Sequence, residues 1–74
     1  MMELSKLEGK RVRLTDIDGE VFEGEVGNYI FPEDNEPEGI EGIVLDYPKR
    51  NDGYKYKDLV LFNATDIKSI EVIS

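Results

Sequence analysis

Seventy-four residues carry 9 Lys and Arg against 17 Asp and Glu, a formal net charge of −8 that repels nucleic acid and anionic membrane surfaces as a whole. With no cysteine and no histidine there is neither a disulfide nor the soft and imidazole ligands of a usual zinc site. A chain this short buries only about 60% of the surface its unfolded form exposes, so oligomerisation is the expected source of extra burial. The first residues hold no basic leader and no apolar run long enough for a signal peptide or a membrane span, and the expectation is one cytoplasmic domain over residues 1–74, with no membrane partner.

From the start of the chain, Leu4 and Leu7 stand three apart between Glu3 and Glu8, which predicts about one and a half turns of helix stopped at Gly9. Lys10 to Thr15 alternates Arg11, Arg13 and Thr15 against Val12 and Leu14, the pattern of a half-buried strand. Asp16-Ile17-Asp18-Gly19 follows as a turn. Glu20 to Phe31 is a long second strand with Phe22, Gly24, Val26 and Ile30 on one face, and its internal Gly24 and Gly27 mark bends or bulges where a sheet curls over its core.

Pro32 to Gly39 is a polar, acidic loop, and Ile40 to Tyr47 a third strand with Ile43, Leu45 and Tyr47 on one face. Asn51-Asp52-Gly53 is a strong turn signal within Pro48 to Lys57. Asp58 to Asn63 is apolar on both faces at Leu59, Val60, Leu61 and Phe62, so this fourth strand is buried on both sides or faces a partner. A tight turn, Ala64-Thr65-Asp66, leads to a last strand, Ile67 to Ile73. Five strands with short connections and a short N-terminal helix describe a mainly β, strongly bent small barrel.

Two stretches carry a family resemblance. Val12-Arg13-Leu14, Asp18-Gly19 and Gly24-Glu25-Val26 fit the first motif of Sm-like proteins, with a turn about two residues longer than the usual one, and Leu61-Phe62-Asn63-Ala64-Thr65-Asp66-Ile67-Lys68-Ser69-Ile70 matches the spacing of the second. The chain thus resembles a divergent, bacterial-type Sm-like member from Leu4 to Ile73. The resemblance implies an Sm-like or SH3-like barrel whose copies close a ring, the fourth strand of one joining the last strand of the next. Leu59, Val60, Leu61, Phe62, Ile67, Ile70 and Val72 are the interface residues this implies.

The departures from the family lie where it binds a single-stranded base. Tyr29 stands for the aromatic of the family's pocket, but Ile30 occupies its Asp position, Asp34 and Asn35 fall out of register, and Asn63-Ala64 replaces the Arg-Gly pair. Asparagine offers no charge to a phosphate and no guanidinium plane to a base. The histidine-containing motif of bacterial Hfq is absent as well.

The remaining candidates come from the residues themselves. No Lys or Arg lies from Thr15 to Pro48, so anion contacts must come from elsewhere, and Tyr47, Lys49, Arg50, Tyr54, Lys55, Tyr56 and Lys57 mix cations with stacking surfaces as single-strand binders do. A hairpin with solvated lysines and edge-covering tyrosines explains the same residues. The RNA-binding alternative takes Arg50, Tyr54, Lys55 and Lys57 from this segment and, as the resemblance implies, Tyr29 and Asn63. Asp16-Ile17-Asp18-Gly19 lacks the further ligands of a calcium loop, and Glu33, Asp34, Glu36 and Glu38 read as a solvated loop.

No nucleophile with a base, no metal site, no cofactor and no small-molecule pocket is expected, so an enzyme is not. The leading expectation is a scaffold module that assembles with itself, with RNA binding as the alternative. A third reading is an SH3-like protein-interaction domain like the C-terminal domain of a RimP-type ribosome-maturation factor.

Overall fold

The computed structural model describes residues 3–74. Five antiparallel strands, β1 (Arg11–Asp16), β2 (Val21–Ile30), β3 (Gly42–Arg50), β4 (Leu59–Asn63) and β5 (Ile67–Val72), form one sheet in the order β4-β3-β2-β1-β5. The sheet curls over eleven buried apolar side chains: Leu4, Leu7, Val12, Leu14, Phe22, Val26, Ile43, Leu45, Phe62, Ile67 and Ile70. No polar or charged residue is buried among the described residues. The core is held by apolar burial, and the charges stay on the surface.

The expected N-terminal helix is a single 3-10 turn over Leu4–Lys6. Two apolar residues three apart are enough to cap the core with Leu4 and Leu7, whereas a longer helix would need further turns of burial to offset its nucleation. Glycine at Gly9, with φ of 81°, then turns the chain into β1.

The bends predicted from Gly24 and Gly27 are present, each with a distinct cause. Between Val26↔Leu45 and Asn28↔Val44 the register shifts by one residue, which makes Gly27 an extra residue in β2. The Asp46 carboxylate lies over Gly27 where a Cβ would stand. Because the bulge reverses the alternation, Tyr29 and not Ile30 comes into line with Ile43 and packs on the core.

The second bulge lies in β3. Glu25 pairs with Asp46 and Glu23 with Lys49, so Tyr47 and Pro48 together oppose Gly24. Pro48 is buried against Gly24, whose missing Cβ would sit 3.2 Å from Pro48 Cα. Tyr47 takes φ of 48° and is turned to solvent, correcting the expectation that it shares the face of Ile43 and Leu45. A non-glycine residue at positive φ is strained, and here the strain accompanies burial of the proline that follows.

Outer-face charges pair across strands. Arg13 of β1 bridges Glu23 of β2 at 2.8 Å and Glu71 of β5 at 2.9 Å, both exposed and therefore of small energetic weight. β3 and β4 approach closely at Gly42, where an added Cβ would meet the Phe62 carbonyl oxygen at 2.9 Å. Backbone cannot move aside as a side-chain tip can, so Gly42→Ala is expected to destabilise the fold by about 1–3 kcal/mol, read as a lower urea midpoint at unchanged slope.

Candidate functional site

Three surfaces collect the residues singled out above: the mouth formed by the β2–β3 and β4–β5 connections, the β3–β4 hairpin, and the two sheet edges.

At the mouth, β2 runs out through Tyr29 and Ile30 into Phe31 and a 3-10 turn over Pro32–Asp34. Asn35 closes that turn and uses both amide hydrogens of Nδ2, donating to the Ile40 carbonyl and to Asn63 Oδ1, each at 2.7 Å. Asn35, out of register by sequence, is thus brought to Asn63 by the folding of its loop. The Ala64 amide donates to the Glu41 carbonyl at 2.9 Å, holding the β4–β5 turn against the start of β3.

Glu41 is the functional candidate that sequence reasoning passed over. Its carboxylate accepts the Tyr29 hydroxyl at 2.7 Å. That hydrogen bond, then burial, then the negative charges of Glu41 and Glu33, push the Tyr29 phenol above its ordinary range. The signal was available in the spacing: Glu41 stands two residues before the core residue Ile43, and so on the same side of the strand. Phe31 packs edge to face on Tyr29, centroids 5.0 Å apart, and remains 53% exposed. The mouth therefore presents aromatics, amides and a carboxylate where the resemblance implies an arginine.

On the hairpin, Arg50 is engaged by its own neighbours. Its guanidinium donates to Asp52 at 2.8 Å and 3.3 Å and to the Tyr56 hydroxyl at 3.3 Å, lies 3.7 Å from Glu20, and sits over the rings of Tyr54 and Tyr56. Its hydrogen bond to Arg50, aided by one from the Tyr54 amide, holds the Asp52 carboxyl below the usual carboxylate range. Arg50 thus clasps the Asn51-Asp52-Gly53 turn. Tyr54, Lys55 and Lys57 do face solvent. Beside the clasp, Val21, Glu23, Lys49, Arg50 and Asn51 line an open groove of about 280 Å³, of mixed charge. Asp16 Oδ1 accepts the amides of Asp18 and Glu20, an ordinary turn bond, and no metal-holding group is found among the described residues.

At the edges, β4 and β5 each have one strand neighbour. Phe62, Ile67 and Ile70, expected to contact another copy, are buried in the chain's own core; Ile67 and Ile70 stand three apart, and the register shift between Thr15↔Ser69 and Asp16↔Ile67, which leaves Lys68 extra in β5, lets both face inward. Val60 is half-buried, while Leu59, Leu61 and Val72 are 57%, 47% and 37% exposed. No helix among the described residues is long and apolar enough to cross a membrane.

A crystal structure of an Sm-like archaeal protein from Pyrobaculum aerophilum is similar to this chain, with a TM-score of 0.73 at 22% identity over 96% of this chain and 48% of that one. The likeness shows an Sm-like fold, and the chain spans about half the length of that protein. No family model matches the sequence, and no curated protein matches it.

Tyr29 is expected to ionise above the ordinary phenol range of about 10, and Glu41→Gln to bring its ionisation back down, followed by NMR across alkaline pH. The sign is that of an acid raised on folding: the stability contributed by the Tyr29–Glu41 bond is full below about pH 10 and is lost as pH rises through the raised value.

Proposed function

We propose that the protein is a divergent Sm-like binding module, without catalytic activity, that works as a closed homo-oligomer in which β4 of one copy pairs with β5 of the next. The observation that carries this reading is the sheet's two unpaired edges, one of them displaying Leu59 and Leu61. Val60 pairs with Leu45 and Val72 with Val12, both partners fully buried, so Val60 and Val72 continue the core face to opposite open edges. A neighbouring strand added at either edge extends that core across the seam. On the outer face, Leu59 and Leu61 stand beside Asp46 and the half-buried Val44. Likeness to an Sm-like protein supports the reading, since the family resemblance implies a ring of this kind.

Each added copy brings a net charge of −8, so self-repulsion opposes the assembly and salt relieves it. Light scattering is expected to give an integer multiple of the 8.5 kDa protomer, favoured by added salt, and the double variant Leu59→Lys, Leu61→Lys is expected to reduce it to a monomer. A wild-type monomer at high protein concentration would overturn the reading.

RNA binding is the second reading, favoured by the exposure of Tyr54, Lys55 and Lys57 on one hairpin. Tyr29 and Asn63 support it less, since Tyr29 is bonded to Glu41 and Asn63 to Asn35, both in the stretch without Lys or Arg. A low-salt fluorescence titration with U-rich or A-rich RNA is expected to weaken in the Lys55→Gln, Lys57→Gln variant, its salt slope falling by about two. Unchanged binding in that variant would remove the hairpin from the reading.

A further inference from the structure

We infer that the mouth of the barrel, at Phe31, Tyr29 and Glu41, is a docking surface for an arginine side chain carried by a basic segment of another protein. The inference does not depend on self-assembly, since these residues lie together within one protomer.

Three observations converge on this occupant. Phe31 is more than half exposed while packing edge to face with Tyr29, whose hydroxyl is bonded to Glu41, so much of an apolar ring is open to solvent at the rim. Beside it, the half-buried Glu41 carboxylate has only an uncharged phenol as its side-chain partner among the described residues. No Lys or Arg lies from Thr15 to Pro48, and none of the ion pairs among the described residues engages Glu33, Asp34, Glu36, Glu38 or Glu41.

A guanidinium meets all three conditions at once. Its flat face stacks on an aromatic ring while its N–H edge donates to a carboxylate. An ammonium supplies the charge without the plane or the forked edge, so lysine is the poorer ligand. Phosphate is repelled by the surrounding carboxylates, which disfavours a polynucleotide at this mouth. The uncompensated acids of the β2–β3 loop provide the longer-range attraction that steers a basic segment in.

The test is an NMR titration of the isotope-labelled full chain with a Gly-Arg repeat peptide, its Gly-Lys counterpart and a short U-rich RNA. The arginine peptide is expected to shift the resonances of Tyr29, Phe31 and Glu41 and to bind several-fold more tightly than the lysine peptide. Phe31→Ser and Glu41→Gln are each expected to weaken the arginine peptide about fivefold, while Tyr54→Ser on the distant hairpin leaves it unchanged. Phe31 is exposed, so its replacement leaves the core intact and keeps the test open if Glu41→Gln perturbs the fold. Equal binding of the two peptides, unchanged binding by Phe31→Ser, or shifts at the mouth produced by the RNA and not by the peptide would each overturn the inference.

Discussion

The contact between Pro48 and Gly24 sets the shape on which everything else rests. A proline in a sheet interior removes a ladder donor, and this one is accommodated only by a bulge that places Tyr47 and Pro48 together opposite a residue with no side chain. The proline then fills the core side, the tyrosine is forced to positive φ, and the strand pair bends. A second bulge at Gly27 repeats the device further along β2. With one bulge in β2 and one in β3, a five-stranded sheet can curl around the eleven buried apolar side chains of the described residues.

The same curl decides what is left outside. Curling brings the β4–β5 turn against both the start of β3 and the β1–β2 turn, through the Ala64–Glu41 and Ile17–Asp66 backbone bonds, yet β4 and β5 do not pair with each other. The protomer is thus a sheet with two free edges, and the core face runs out to each of them at Val60 and Val72. The proposed neighbouring copy would answer both the small core and the unpaired edges. The mouth is a separate consequence of the bend: the Gly27 bulge turns Tyr29 inward, where its hydroxyl meets Glu41, and leaves Phe31 standing at the rim.

How much of this was legible varies with the range of the interaction concerned. The strands were readable because alternation in β1 and the turn signals at Gly19 and Gly53 are local; their ends shift by a residue or two except in β3, which runs three residues past the expected Tyr47, through Pro48 to Arg50. The bulge positions were readable from glycine, but not their effect on the faces, because a bulge adds one residue and inverts every later side chain. That inversion moved Tyr29 into the core in place of Ile30 and moved Tyr47 out of it. The N-terminal turn was shorter than expected because two leucines needed only one turn to reach the core.

The sequence by itself determined a mainly β chain without cysteine or histidine, strongly acidic between Thr15 and Pro48, whose apolar spacing suits an Sm-like barrel. Those properties follow from composition and from periodicities of two residues, which act over short distances along the chain. Only the tertiary structure decided that Arg50 is the clasp of its own hairpin, that Phe62, Ile67 and Ile70 belong to the core, and that Asn35 reaches Asn63 while Glu41 takes the hydroxyl of Tyr29. Each of these depends on which distant residues the bends in β2 and β3 bring within hydrogen-bonding or packing reach, and no local pattern encodes that distance.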